Sequence, residues 1–158
     1  MRSNNKEELV RRVSDILFSL NAEEKKDVLK EVLSVKEEGI PISAFKARLS
    51  CLEIVVKYLK ENMDMSFKEI SELLNRRLST LYNTYNNSKI KFKSSLNVFD
   101  KSIVIPLSIF SDRNYSMLES LVAYLVNEGY SLVKISSLLG KKYNTIKTVY
   151  RRHKIKNV

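Results

Sequence analysis

One pattern is written twice in this chain, and any fold must accommodate both copies. Ser131 to Lys156 reads SLVKISSLLGKKYNTIKTVYRRHKIK, and Ser66 to Lys91 reads SFKEISELLNRRLSTLYNTYNNSKIK. Ile70, Leu73 and Leu74 occupy the places of Ile135, Leu138 and Leu139. Thr80, Tyr85, Lys89, Ile90 and Lys91 match Thr145, Tyr150, Lys154, Ile155 and Lys156 at a constant step of 65. Upstream, IPISAF at Ile40 to Phe45 answers IPLSIF at Ile105 to Phe110. Leu52-Glu53 and Tyr58-Leu59 answer Leu118-Glu119 and Tyr124-Leu125 at a step of 66, so two small indels separate the copies. A repeat constrains architecture before local propensity does, because each copy must form the same supersecondary unit.

Within each copy the apolar spacing is helical. Ile135, Leu138 and Leu139 lie at i, i+3 and i+4, which aligns them on one face of a short helix. Gly140 follows, where a helix end needs a residue tolerant of left-handed backbone. Ile146, Val149 and Tyr150 repeat the spacing in a final helix. The first helix of each copy is announced by a Ser and a Glu three residues on, Ser50 with Glu53 and Ser116 with Glu119, the capping-box pattern. Leu52, Val55, Val56 and Leu59 line one of these helices; Leu118, Leu121, Val122 and Leu125 line the other. Ser66 with Glu69 caps the second helix of the first copy, whereas Ser131 faces Lys134 in the second. The third helices run from about Ser79 to Ile90 and from about Asn144 to Ile155, by the same apolar periodicity. Each unit is thus trihelical, with its last two helices joined by a tight turn. The Ile-Pro-x-Ser-x-Phe arms read as short extended leads, because proline pushes the preceding residue toward extended geometry.

Residues 1–39 have no counterpart in the second half. Leu9, Val13, Ile16, Leu17 and Leu20 form one apolar stripe. Asn21 with Glu24 caps a second helix carrying Val28, Leu29, Val32, Leu33 and Val35 and ending at Gly39. This helical hairpin either packs on the first repeat or supplies a homodimer surface through residues 7–38; amphipathicity does not choose. The chain therefore divides into the hairpin 1–39, a first unit 40–93, a linker 94–104 and a second unit 105–158. In the linker, Leu96, Val98, Phe99, Ile103 and Val104 are too apolar to stay fully solvated, and 102–105 suits a brief extended segment. The fold class is all-α.

Charge separates these segments more sharply than the net +10 of the whole does. Residues 1–39 hold 8 Lys+Arg against 9 Asp+Glu, and residues 94–112 hold 1 against 2. Residues 40–93 hold 10 against 5, and residues 113–158 hold 9 against 2. A basic excess confined to the repeats points to a polyanionic partner rather than to general solubility. One Cys, Cys51, excludes an internal disulfide framework and a Cys-based zinc site. With a single His, His153, no His/Cys ligand set assembles, and no Gly-rich phosphate loop or nucleophile elbow appears. No cofactor is implied and an enzyme is not expected. No apolar run is long enough to span a membrane and the N-terminus lacks a signal-peptide core, so a cytoplasmic, nucleoid-associated protein is expected.

The segments Leu49-Ser50-x-Leu52-Glu53, Glu69-Ile70-x-x-Leu73-Leu74 and Thr145-Ile146-Lys147 resemble a known superfamily. It comprises the fourth conserved region of bacterial sigma factors and the DNA-binding domains of quorum-sensing-type response regulators. More loosely, the tandem arrangement with its arms resembles uncharacterised archaeal tandem helix-turn-helix proteins. The superfamily pattern places Ile-Ala where this chain has Ile70-Ser71 and Ile135-Ser136. The second unit keeps Leu138-Leu139-Gly140 and Thr145-Ile146-Lys147; the first has Leu73-Leu74-Asn75 and Thr80-Leu81-Tyr82, departing at the glycine and the lysine. Nothing matches the other sigma regions, so a complete sigma factor is not implied.

The resemblance implies two helix-turn-helix units in tandem, each presenting its third helix to the major groove. In the second unit Lys142, Tyr143, Asn144, Thr145, Lys147 and Arg151 would face the duplex, joined by Arg152 and Lys154. In the first, the matching face comprises Arg76, Arg77, Leu78, Ser79, Tyr82, Asn83, Asn86 and Lys89. Tyr58, Tyr124, Tyr85 and Tyr150 recur at equivalent positions and read as core. Cations neutralise phosphates, and Arg or Asn reads bases in bidentate fashion. The second unit is therefore expected to dominate affinity. The functional expectation is a double-stranded DNA-binding regulator of transcription or a chromatin-associated protein. The alternative is an adaptor whose units bind a component of the transcription or recombination machinery.

Overall fold

The computed structural model describes residues 3–33 and 39–158, with side chains for 7–29 and 39–158. It divides into two compact units, Met1–Glu37 and Glu38–Val158. Among the described residues it is predominantly helical, and no helix is long and apolar enough to cross a membrane.

In the first unit, α1 spans Ser3–Ser19 and α2 spans Ala22–Leu33. Asn21 joins them as a working cap: its Oδ1 accepts from the Glu23 and Glu24 amides at 3.0 and 2.9 Å. The Asn21 amide donates to Glu24 Oε2 at 2.9 Å, completing the reciprocal box. The expected stripes are only partly buried. Leu17, Leu20 and Val28 are half-covered, but Leu9, Val13, Ile16 and Leu29 stay exposed, because two helices alone cannot bury two full stripes. The side chains of Val32 and Leu33, and the whole of Val35, lie outside the described residues. Gly39 does not end this helix; it opens a strand of the second unit.

That unit begins with β1 (Gly39–Pro41) and a 3-10 helix (Ile42–Lys46), the arm of the first repeat. Three helices follow, α3 (Cys51–Glu61), α4 (Phe67–Leu74) and α5 (Leu78–Lys91). The second repeat traces the same course as β2 (Val104–Pro106), a 3-10 helix (Leu107–Phe110), α6 (Met117–Asn127), α7 (Leu132–Leu139) and α8 (Tyr143–Lys156). The capping boxes of α3, α4 and α6 form in full, and Ser131 caps α7 without a box partner. The third helices extend one residue further at each end than the periodicity suggested.

The arms are not free leads. β1 and β2 pair antiparallel, Gly39 opposite Pro106, Ile40 opposite Ile105 and Pro41 opposite Val104. Ile40 and Ile105 are both fully buried, and the rings of Phe45 and Phe110 lie 6.4 Å apart. Helix α7 packs on the first arm's 3-10 helix, α4 packs on the second arm's, and α3 meets α6. One apolar cluster consequently runs through both repeats, including Ile54, Val55, Leu59, Ile70, Leu74 and Leu81 with Leu121, Val122, Leu125, Ile135 and Ile146. Each such side chain contributes on the order of 1.5–3 kcal/mol when fully buried.

Segment 94–104 belongs to this core. Leu96 is buried, and Val98 and Ile103 pack against the cluster. The Ser43 hydroxyl donates to the Asn97 carbonyl at 2.8 Å, and the Ile42 amide to the Ile103 carbonyl at 2.9 Å. Phe99 departs from expectation: it is 92% exposed, while Leu96 and Val98 take the inward positions of this irregular stretch.

Candidate nucleic-acid interface

The third helix of each repeat is held by the helix before it. In the first repeat α4 ends at Asn75, whose φ of 51° and ψ of 50° are left-handed. Gly140 adopts the same conformation after α7, with φ 59° and ψ 33°. Asn tolerates this region better than other side-chain-bearing residues, so the missing glycine of the first repeat changes the residue and not the turn. Serine has a matching role in both copies. Ser71 Oγ donates to the Arg76 carbonyl and Ser136 Oγ to the Lys141 carbonyl, each at 2.5 Å. An Ile-Ala pair at these places would leave both turn carbonyls without that donor.

A second tie anchors the far end of each third helix. Lys91 Nζ meets Glu53 Oε1 at 2.6 Å, and Lys156 Nζ meets Glu119 Oε2 at 2.8 Å. These carboxylates also accept the amides of Ser50 and Ser116 in their capping boxes. Burial pushes the Glu53 carboxyl upward, but hydrogen bonds from Lys91 and Ser50 outweigh it and hold it below the ordinary range. Glu119 is lowered in the same way, against burial, by Lys156, Ser116 and the nearby Arg152. A depressed folded value means stability that is present above the unfolded value of 4.5 and lost as pH falls through the folded one. Thermal scans should therefore show a midpoint that drops below pH 4.5, and drops less in Glu53→Gln/Glu119→Gln. A double variant with the same acid slope as wild type would remove these carboxylates from the account.

The outward faces carry the expected side chains. On α8, Ile146 and Val149 are buried, while Tyr143, Asn144, Thr145, Lys147, Arg151, Arg152 and Lys154 are exposed beside Lys142 at the cap. On α5, Leu81 and Ser88 are buried, and Leu78, Ser79, Tyr82, Asn83, Asn86 and Lys89 are exposed beside Arg77. Arg76 is half-buried. Among the described residues, Lys142, Lys147 and Arg151 have no carboxylate within salt-bridge distance. Lys89 lies 4.7 Å from the Tyr85 ring centroid and Lys154 lies 5.2 Å from that of Tyr150, the same cation–ring contact in both copies. Tyr82 stacks on Phe67 at 4.1 Å and still exposes half its surface, so one face of the ring is structural and the other is open. His153 is half-buried with its ring 4.4 Å from that of Tyr115.

Between the repeats lies an open cleft of about 580 Å³ whose lining includes Ser50, Ser116, Arg76, Arg113, Lys141 and Lys156. Arg76 and Lys141 are the first residues beyond the two left-handed turns, and Lys156, at the far end of α8, lines the same cleft. Burial and the neighbouring Arg113 pull the Arg76 guanidinium below its ordinary value. Its Nε is buried without a hydrogen-bond partner among the described residues. Cations held together this way, with Lys156 alone neutralised by a carboxylate among the described residues, favour an anion. Arg113 and Lys141 were not among the residues singled out from sequence. A signal existed for Arg113, since Arg48 precedes it by the repeat step of 65, but both fall in irregular segments where periodicity is mute.

Cys51, at the first position of α3, is buried, and desolvation raises its thiol to about 12. It is a protonated core residue at neutral pH. Among the described residues, no group of three or more His, Cys, Asp or Glu is placed to hold a metal ion. Compared with protein-family models, curated proteins and solved structures, the chain matches none of them.

Proposed function

We propose that this protein binds double-stranded DNA without catalysing a reaction, as a transcriptional regulator or a chromatin-associated protein. In this reading the α4–α5 and α7–α8 pairs are helix-turn-helix units similar to sigma region 4, and α5 and α8 are the recognition helices. The observation that carries it is the outward face of α8. Five cations, Lys142, Lys147, Arg151, Arg152 and Lys154, surround Asn144 and Thr145 over a buried apolar back. A 14-residue helix with that cross-section suits the major groove, where cations meet phosphates and Arg or Asn meets base edges. The repeats' basic excess supports the same reading, as does the lack of a carboxylate partner for Lys142, Lys147 and Arg151 among the described residues.

The exposed stripe of Leu9, Val13 and Ile16 supports a homodimer contact through residues 7–38, and nucleoid association follows from DNA binding. Transcription machinery enters as a partner only in the adaptor reading, for which the weakly charged front of α5, with Leu78 and Tyr82 exposed, is the supporting feature.

Fluorescence anisotropy with mixed-sequence duplex across a salt series tests the proposal. Saturable binding should appear at low salt, and log affinity should fall linearly with log salt with a slope of about −4.5 or steeper, as for five or more neutralised phosphates. A flat salt response, or no binding at the lowest salt, would transfer preference to the adaptor.

A further inference from the structure

The two repeats are related by rotation and not by translation, and the ribbon register shows it. Under the step of 65, Gly39 corresponds to Val104, Ile40 to Ile105 and Pro41 to Pro106. The observed pairs are Gly39 with Pro106, Ile40 with Ile105 and Pro41 with Val104. Exchanging the copies turns the first pair into the third and maps the central pair onto itself. Only a two-fold axis through the Ile40–Ile105 pair does this; a translational array would never set a residue opposite its own equivalent.

Three further contacts obey the same axis. Phe45 and Phe110, equivalents at a step of 65, face each other at 6.4 Å. Helices α3 and α6, equivalent to each other, pack together, and the α7 contact with the first 3-10 helix is answered by α4 on the second. The cleft is lined in part by equivalents, Ser50 with Ser116 and Arg76 with Lys141, and the equivalents of its Arg113 and Lys156, Arg48 and Lys91, line a second cleft beside Lys141. The same axis sets α5 and α8 at equal height along it, with Arg76 and Lys141 at their equivalent entries. A ligand whose own two-fold axis coincides with this one therefore meets both helices in equivalent ways.

We infer that a single protomer recognises an inverted-repeat duplex site whose two halves are read unequally. The inference rests on the DNA-binding reading and adds the symmetry and stoichiometry of the target. A duplex has local two-fold axes perpendicular to its own, and a protein with a two-fold pair of readers matches it only when the half-sites run in opposite directions. The usual source of that symmetry is a dimer; here one chain supplies it. The halves differ because the readers differ. The α8 face has five cations, whereas the α5 face has Arg77 and Lys89 among Ser79, Asn83 and Asn86. One half-site should be constrained and tightly held, the other degenerate.

The test is selection from a random duplex pool with the full chain at moderate salt. It is followed by titration of the enriched duplex at concentrations far above its dissociation constant. The expected motif has two inverted half-sites of unequal information content, bound at one protomer per duplex, or one homodimer per two duplexes where the contact through residues 7–38 forms. Reversing one half-site to make a direct repeat should weaken binding by about tenfold or more, as for loss of several base contacts. An enriched direct repeat, a single half-site indifferent to its flank, or two protomers per duplex would each overturn the inference while leaving DNA binding intact. Retention without enrichment would do the same. If no duplex is retained even at low salt, the inference falls together with the reading beneath it.

Discussion

At low salt, Lys147→Glu/Arg151→Glu should bind mixed duplex at least about 100-fold more weakly than wild type, equivalent to two modest direct contacts. Both residues are exposed on α8, and neither has a carboxylate partner among the described residues, so their removal leaves no buried charge unpaired. The fold should be untouched, with unchanged helicity and thermal midpoint. The log–log salt slope should become shallower by about 2, one for each phosphate no longer neutralised. The matched variant of the first repeat, Tyr82→Glu/Asn86→Glu, should lose about tenfold, because the residues replaced carry no charge and only added repulsion acts. Tyr82 also stacks on Phe67, so this second variant must be checked for stability before its affinity is read. Equal losses in both variants would contradict the dominance of α8. Wild-type affinity in both would remove these faces from the interface.

Gly39→Val should destabilise the 38–158 unit by about 3 kcal/mol, the upper part of the overpacking range. A Cβ at Gly39 would lie 2.4 Å from the Ile105 carbonyl oxygen and 2.7 Å from Val104 Cγ1. The first of these atoms is backbone in the facing strand and cannot rotate aside. The strands must separate, and Ile40 and Ile105 behind them lose their burial. Gly140→Ala provides the contrast, since a Cβ there meets nothing within 4 Å and only the left-handed φ of 59° is penalised. That change should cost about 1 kcal/mol. Urea unfolding followed by circular dichroism measures both. A Gly39→Val protein with the wild-type midpoint would mean that the strands do not pair in solution.

Much of the helical layout was legible because it rests on local rules. Ser50, Ser66 and Ser116 with a Glu three residues on, and apolar residues at i, i+3 and i+4, depend only on neighbours along one helix. The face of α8 was legible for the same reason: once Ile146 and Val149 turn inward, Lys147 and Arg151 must turn outward. The relation between the copies was not legible. Tandem repetition in sequence says nothing of whether the units are stacked, strung out or turned about an axis. That is settled by pairing across a separation of 65 residues, which no periodicity records. Arg76, Arg113 and Lys141 meet only because of it. Lys57 shows the same limit inside a helix. It is 2% exposed, its ammonium held by Glu61 at 2.9 Å, where the second repeat has Ala123. Composition alone would have placed such a lysine in solvent.

The Ile-Pro arms have a consequence for assembly under stress. Both strands of the ribbon belong to one chain, and each is nearly a copy of the other. In a dilute solution the nearest partner for β1 is β2 of the same molecule, tethered by the segment 94–104 and the helices before it. In a concentrated refolding mixture every other chain offers an equally suitable arm. The arms are thus the natural point for strand exchange, in which two molecules trade β2 segments and close a swapped dimer with every native contact preserved. Refolding yield of the monomer should consequently fall with protein concentration, and shortening the tether should accelerate that loss.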